Sequence, residues 1–174
     1  MYGKVLILLV ASLPVLSGRA APGYPEFSWD TVPVYLHFGS AVQMTDEQIE
    51  QTARLSNFIC LEKAHGTHTD REHPERIAGE DARRIKAVNP EAKVLMYWNT
   101  LIAWPFTSYN RGYAEKYPAD WTLRDMQTGE PLYKVQRGKF EVVQYNLLNP
   151  AVRDWWVDTV SSAVDAFGFD GLFM

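Results

Sequence analysis

The chain has 174 residues, of which 47% are hydrophobic and 22% are charged, and its net charge at pH 7 is −4. These proportions are those of a globular domain, and they exclude collagen-like, coiled-coil and disordered chains. No basic block is present to hold phosphates, so we expect no nucleic-acid partner. The one cysteine, Cys60, excludes an intrachain disulfide, and we expect it to pack as a small apolar side chain.

The first twenty residues have the pattern of a secretory signal peptide. Lys4 supplies a positive charge, residues 5–16 form an apolar run, and small residues precede a cleavage point after Ala20. The run is shorter than the roughly 20 residues of a membrane-spanning helix. We therefore predict a signal peptide over 1–20, a mature domain over 21–174, a secreted or periplasmic location, and no membrane span after cleavage. The alternative is a buried N-terminal helix or a membrane anchor.

Strand and helix patterns alternate along the rest of the chain. The strand patterns are 32–38, 58–61, 93–98 and 170–174, and helical patterns begin at the Thr45 capping box, at Ile77 and at the Asn149 cap. In the first helix we expect Ile49, Ala53 and Leu55 to lie on one buried side. Such alternation is typical of βαβ units, so we predict an α/β fold with a parallel sheet covered by helices.

The number of strand patterns suggests half of a larger architecture. Four strand patterns correspond to half of an eight-stranded barrel, which usually has about 250 residues or more. The last pattern begins only at Asp170, and an apolar strand needs neighbours on both edges. We therefore expect the N-terminal half of a (β/α)8 TIM barrel, cut inside strand four and belonging to a larger enzyme.

Polar and aromatic residues follow the strand patterns. His37 closes the first strand, Glu62 and Lys63 follow the second, and Trp98 and Asn99 end the third. In parallel α/β folds, ligands bind at the loops that follow the carboxyl ends of the strands. We predict that these side chains hydrogen-bond to and stack on a polyol substrate. The alternative is that Glu62 and Lys63 form a solvated surface pair and that His37 packs in the core.

Residues 99–149 form a long connection that is rich in aromatic side chains. A connection of this length is usually functional or a small subdomain, and residues 135–145 have the pattern of an added strand or hairpin arm. Aromatic rings suit the apolar faces of sugars. We predict that Trp98 and Trp104 contact such a ligand and that most of the other rings pack the connection onto the domain.

Three of the four histidines fall within residues 65–73. Imidazoles and carboxylates at this density can bind zinc, but the spacing matches no common closed site and the segment contains no cysteine. We predict a hydrophilic loop at the mouth of the site, with His65 nearest the strand end and in contact with substrate, and no metal or other cofactor. Nucleophile-elbow, phosphate-loop and His-Glu-x-x-His motifs are also missing from the sequence.

Four motifs stand out: FSWD at 27–30, VPVY at 32–35, NPAVRDWW at 149–156 and GFDGLFM at 168–174. Together they resemble the hypothetical glycosyl hydrolases that have TIM-barrel folds. The resemblance implies a carboxylate at the end of strand four and another on a later strand, because glycoside hydrolysis needs two. The first of these would follow Met174, so we assign no catalytic residue within the chain. Asp170 lies at the start of the strand, where we expect a structural role.

The leading hypothesis is an exported carbohydrate-active hydrolase that cleaves O-glycosidic bonds of poly- or oligosaccharides. Its partner is a carbohydrate substrate, and these 174 residues are expected to be an incomplete and inactive part of it. Two alternatives stay open. One is a non-catalytic secreted protein that binds sugars or other solutes on an open parallel sheet, and the other is a metal-dependent polysaccharide deacetylase that uses residues 65–73.

Overall fold

The computed structural model describes residues 29–30, 32–136 and 140–174, so the predicted signal peptide lies outside the described residues. The elements, in chain order, are β1 (Tyr35–Phe38), α1 (Asp46–Leu55), β2 (Phe58–Leu61), α2 (Pro74–Val88), β3 (Lys93–Tyr97), α3 (Tyr113–Lys116), β4 (Tyr133–Gln136), β5 (Phe140–Val143), α4 (Pro150–Phe167) and β6 (Gly171–Phe173). A short 3-10 turn covers Ala119–Trp121. Among the described helices, none combines the length and the hydropathy that crossing a membrane requires.

The four predicted strands form one parallel sheet. Its order is β1-β2-β3-β6, so strands that follow one another in this sheet along the chain are also neighbours in space. Helix α1 contacts α2, and α2 contacts α4, so the helices follow the same order as the strands. The prediction of a parallel α/β fold is confirmed. A doubly wound sheet reverses its strand order, and no such reversal occurs among these four strands.

One face of the sheet packs against the helices and forms the main core. Alternate residues of the strands point to this face, including Ile59, Leu61, Val94 and Met96, and all four are buried. Ala53, Ala82, Ile85 and Ala163 belong to the same cluster from the helical side. Small alanines let the helices approach the sheet closely, so the larger aliphatic side chains of the strands fill the space between the two layers.

The other face of the sheet is aromatic and partly exposed. The His37 ring lies 4.9 Å from Phe173 and 5.8 Å from Tyr97, measured between ring centroids. Tyr35 lies 6.0 Å from Phe173 on the same face. Cys60 is paired in register with His37, and it is buried as predicted; burial raises the pKa of its thiol to about 11. A thiol with a raised pKa is a weak nucleophile at neutral pH, which agrees with an apolar packing role.

The helix ends follow their local sequence signals. The Thr45 hydroxyl accepts a hydrogen bond from the Gln48 amide, and the Gln48 side chain accepts one from the Thr45 amide, which confirms the capping box. Asn149 caps α4 by accepting from the Ala151 amide at 2.9 Å. Gly168 ends α4 with a φ of 72°, a left-handed conformation that glycine adopts without steric cost.

Three details differ from the sequence-based expectation. Leu55 is 65% exposed, because two residues beyond Ala53 a side chain has rotated by about 200° around the helix. Helix α2 begins at Pro74 rather than at Ile77, since the fixed φ of proline suits the first helical turn. Strand β1 begins at Tyr35 rather than at Val32; the preceding proline has no N–H to donate to a ladder.

The long connection after β3 packs against α4. Strands β4 and β5 form an antiparallel hairpin, in agreement with the hairpin arm predicted over 135–145. Tyr113 and Tyr145 are buried in a second cluster with Val152 of α4. The Tyr117 and Trp121 rings stack with centroids 4.7 Å apart and an interplanar angle of 5°. These rings attach the connection to the domain, which is the role predicted for most of them.

A close contact between α2 and α4 gives a stability prediction. A Cβ atom at Gly79 would lie 2.7 Å from the Phe167 Cβ and 2.9 Å from its carbonyl oxygen. We expect Gly79→Ala to lower the free energy of unfolding by up to about 2 kcal/mol, because an overpacking cost of about 1–3 kcal/mol outweighs the roughly 1 kcal/mol by which alanine favours a helix. Urea unfolding measures the change, with Ala87→Gly on the exposed side of α2 as the control for helix propensity. A Gly79→Ala protein more stable than wild type would contradict this packing.

Candidate functional site

A charged cluster lies at the carboxyl ends of β1 and β2. The Glu62 carboxylate is placed between His37 and Lys63: its Oε1 lies 3.1 Å from His37 Nε2, and its Oε2 accepts a hydrogen bond from Lys63 Nζ at 2.6 Å. All three side chains keep between 23% and 28% of their surface exposed. The predicted residues therefore form a single partly buried cluster with one edge open to solvent.

The backbone fixes the position of Glu62. Its amide donates to the Phe38 carbonyl at 2.9 Å, which extends the pairing of β1 and β2 by one step. A Cβ atom at Gly39 would lie 2.7 Å from the Glu62 Cβ, so a larger residue at position 39 would displace the carboxylate. Glu62 is thus held by the strand ends and not by a free loop.

Aromatic rings surround the Lys63 ammonium group. Its Nζ lies 4.8 Å from the centre of the Tyr97 ring and 5.6 Å from that of Trp104. At these distances the negative ring faces attract the cation. The ammonium group therefore has a carboxylate on one side and aromatic faces on another, which restricts its orientation.

Asn99 shapes the start of the long connection. Its Oδ1 accepts from the Leu101 and Ile102 amides at 2.8 Å each, and its Nδ2 donates to the Tyr97 hydroxyl at 2.9 Å. The side chain thus turns the chain after β3 and at the same time orients the Tyr97 hydroxyl. Its contact with a substrate stays a prediction.

The two tryptophans predicted to contact a ligand lie deeper than expected. Trp98 is 2% exposed and packs on Tyr109, with ring centroids 5.6 Å apart. Trp104 is 7% exposed and stacks on Phe106 at 5.9 Å. A sugar-stacking platform needs an exposed ring face, so the half-buried Tyr97 offers more accessible aromatic surface than either tryptophan. Ligand contact by Trp98 and Trp104 stays a prediction.

A small cleft opens beside Lys63. Its wall is formed by Lys63, residues 97–99, Trp104, Thr107 and Asn110, and it encloses about 190 Å³ including its open mouth. Among the described residues, the Thr107 hydroxyl is buried without a hydrogen-bond partner, and the Trp98 indole N–H has the Tyr145 hydroxyl as its acceptor. Sequence reasoning missed Thr107 and Asn110, since no motif marks either residue within the long connection.

His65 has hydrogen-bond partners on the loop after β1 and on α2. It is buried, its Nδ1 accepts from the Ser40 amide at 3.1 Å, and its Nε2 lies 2.9 Å from Asp81 Oδ2. Asp81 also accepts from the Met44 amide at 2.9 Å and from Arg84 at 2.6 Å. Both ring nitrogens of His65 therefore have protein partners. This geometry favours a structural role, in which His65 joins the loop after β1 to α2, and its predicted substrate contact stays untested.

The other histidines of the 65–73 segment lie apart from His65. His68 is exposed, and His73 Nδ1 lies 3.7 Å from the buried Glu75 carboxylate. Within the described ranges, no three or more His, Cys, Asp and Glu side chains are grouped so that they would hold a metal ion. The Glu75 carboxylate instead accepts hydrogen bonds from the Ser108 amide and hydroxyl, which ties the long connection to α2.

Asp170 lies at the amino end of β6, whereas the cluster of His37, Glu62 and Lys63 lies at the carboxyl ends of the strands. Its Oδ2 accepts from the Val94 amide at 2.9 Å and from Lys86 Nζ at 3.1 Å. It thus joins the start of β6 to β3 and to α2. The structural role expected for Asp170 is confirmed.

Comparisons with known proteins point to a carbohydrate-active family. A family model described as hypothetical glycosyl hydrolase family 15 matches residues 86–174. Among solved structures, the chain is similar to a noncanonic maltogenic alpha-amylase, AmyB, from Thermotoga neapolitana, with 16% sequence identity and a TM-score of 0.52. That match covers 80% of this chain and 38% of the amylase chain, so the chain spans well under half of the amylase. No curated protein matches the sequence. The likeness to the amylase is one of fold.

Proposed function

The chain belongs to hypothetical glycosyl hydrolase family 15, and on that premise we propose that it forms part of an exported glycosidase acting on O-glycosidic bonds of poly- or oligosaccharides. The observation that carries the proposal is the cluster of Glu62, His37 and Lys63 beside the Tyr97 ring, at the carboxyl ends of three parallel strands. In parallel α/β folds this edge is where ligands bind. A carbohydrate is the substrate that charged hydrogen-bonding groups beside an aromatic ring suit best.

The cluster is suited to binding and orienting a sugar. Each Glu62 oxygen has one close partner and retains a further lone pair that can accept a hydrogen bond from a sugar hydroxyl. The Lys63 ammonium group has three N–H donors, and the hydrogen bond to Glu62 uses one of them. The other donors can bond to hydroxyl or ring oxygens of a sugar. Trp98, Asn99 and Trp104 form the adjoining wall. We assign these residues to substrate positioning, with His65 supporting the loop beneath them.

We also propose that the parallel sheet is half of a (β/α)8 barrel. Three features support this. The strands follow one another in chain order in the sheet, and the helices that cover them do the same. The structurally similar amylase chain is more than twice as long as this chain. Within the described part, the outer edges of β1 and β6 pair with no further strand of the sheet. Glycoside hydrolysis uses two carboxylates about 5–10 Å apart, and we propose that the end of the fourth strand, after Met174, supplies one and a later strand the other.

The test compares this chain with the product of the gene's complete reading frame. Both proteins are assayed for reducing-sugar release from starch, cellulose and xylan, and for binding of the corresponding trisaccharides. We expect turnover only by the complete product, and an exported form of that product beginning at Ala21. Hydrolysis by the 174-residue chain alone would contradict the proposal that the catalytic carboxylates lie outside it. If neither protein hydrolyses or binds a carbohydrate, the glycosidase proposal itself is wrong.

A further inference from the structure

We infer that the cleft beside Lys63 is a subsite for a single hydroxyl group of a neutral sugar, with Thr107 as the residue that selects it. The inference rests on the proposed function and adds a specificity-determining residue to it. Thr107 is 4% exposed, yet its hydroxyl has no hydrogen-bond partner within the part of the chain that the structure describes. A buried polar group without a hydrogen-bond partner lowers the stability of the fold. We explain the buried hydroxyl of Thr107 by a hydrogen-bond partner that the ligand brings.

The neighbouring groups define the chemistry of that partner. The Tyr145 hydroxyl is an acceptor for the Trp98 indole N–H. The same hydroxyl donates to Asn110 Oδ1 at 2.7 Å; burial raises the pKa of this phenol, and the hydrogen bonds with Trp98 and Asn110 offset part of the rise. A threonine hydroxyl both donates and accepts, whereas an indole only donates. Because Trp98 and Asn110 already have partners, Thr107 is the group that a ligand hydroxyl would satisfy, either as donor or as acceptor.

The size of the cleft excludes larger groups. Its enclosed part has room for about one water-sized group, although its open mouth is wider. A carboxylate or an acetamido group is larger than this, while a hydroxyl group matches it. The sugar ring itself therefore lies outside the cleft, against the accessible face of Tyr97, and only one substituent enters.

The charge of the cleft favours a neutral ligand. The cation in the described wall of the cleft is Lys63. Its charge is already neutralised by the Glu62 carboxylate, whose Oε2 lies 2.6 Å from Lys63 Nζ. A uronate carboxylate would therefore meet no uncompensated positive charge. A hydroxyl group needs none, because its hydrogen bond to Thr107 is between neutral partners.

Conservative substitutions test the inference in the product of the complete reading frame. Thr107→Val removes the hydroxyl and keeps the shape, Thr107→Ser keeps the hydroxyl, and Thr52→Val is the matched control at a buried threonine of α1. Dissociation constants for maltotriose, cellotriose and xylotriose are measured by titration calorimetry, and Tm by scanning calorimetry. For the tightest-binding trisaccharide we expect Thr107→Val to weaken binding about tenfold or more, and Thr107→Ser to weaken it less than about threefold.

Stability separates a ligand subsite from a structural water site. Because Thr107→Val removes an unpartnered buried hydroxyl, we expect its Tm to equal or exceed that of wild type. A lowered Tm or failure to fold would mean that the hydroxyl holds a structural water, and it would overturn the inference. Wild-type affinity in Thr107→Val, or an equal loss in Thr52→Val, would overturn it as well while leaving the proposed function intact. If wild type binds none of the three trisaccharides, the proposed function falls and the subsite falls with it.

Discussion

We expect Asp81→Ala to lower the free energy of unfolding by about 3–5 kcal/mol, because it removes the acceptor at the centre of a buried network. The side chain has no exposed surface, and its two oxygens accept from the Met44 amide, from Arg84 and from His65. Alanine would leave the Met44 amide and the buried His65 N–H without partners, and each such group costs about 1–3 kcal/mol. Urea unfolding of the two proteins at pH 7 measures the difference.

The matched control is Glu50→Ala on the exposed side of α1. Glu50 forms an ion pair with Arg54 at 3.0 Å, but both side chains are more than half exposed. Such pairs contribute little, so the expected change is within about 0.5 kcal/mol. If Asp81→Ala were as mild as Glu50→Ala, the loop after β1 would not depend on the network for its position.

The same network gives a pH dependence with a defined sign. Burial by itself raises the pKa of Asp81, but the hydrogen bonds from His65, the Met44 amide and Arg84 outweigh it and hold the pKa below its usual 3.8. A carboxylate whose pKa is lower in the folded than in the unfolded protein stabilises the fold fully above the unfolded value. That stabilisation is lost as the pH falls through the folded value. The difference between wild type and Asp81→Asn should therefore be constant from pH 7 to about 5 and shrink below about 4.

The tautomer of His65 follows from its partners. The Ser40 amide donates to Nδ1, so the ring proton is on Nε2, where it donates to Asp81. From the sequence, His65 was predicted at the mouth of the site because it follows β2 closely. Its actual role depends on Asp81, which lies 16 residues further along the chain on α2. No spacing rule marks that pair, since it exists only after α2 has packed beside the loop.

Local signals predicted most of the fold. The capping box at Thr45 and the Asn149 cap depend on residues within one helical turn, and the alternation of strands and helices depends on periodicity. The grouping of His37 with Glu62 followed from a general property of parallel sheets, whose carboxyl ends share one edge. Thr107 was not predicted, because only the return of the long connection toward β3 places it beside Trp98.

The burial of Trp98 shows that a position at the end of a strand does not by itself predict an accessible side chain. Along β3, side chains alternate between the two faces, and Met96 and Trp98 point toward the helices while Tyr97 points to the aromatic face. The prediction of ligand contact by Trp98 rests on its place at the end of the third strand and on the affinity of aromatic rings for sugars. The two-residue period of a strand, applied from the buried Val94 onward, indicates Tyr97 instead.

We expect the largest functional effect from Glu62→Gln. This change keeps the shape of the side chain but removes the charge that holds Lys63 at 2.6 Å and faces His37 at 3.1 Å. Losing one partner of a hydrogen-bonded charge pair costs about 2–5 kcal/mol when the pair is buried, and the partial exposure here places the effect near the lower end. We therefore expect kcat/KM of the complete gene product on its best polysaccharide to fall about 30- to 100-fold.

The split between kcat and KM identifies what Glu62 does. If the carboxylate orients substrate throughout the reaction, KM rises and kcat is nearly unchanged, whereas a group that acts only in the transition state lowers kcat. Positioning is the role assigned to Glu62, so we expect the change mainly in KM. Glu47→Gln on the exposed first turn of α1 controls for the loss of a negative charge and should leave both constants unchanged. Full activity of Glu62→Gln would separate the cluster from the reaction, because the hydrogen bonds of the carboxylate would then serve the fold alone.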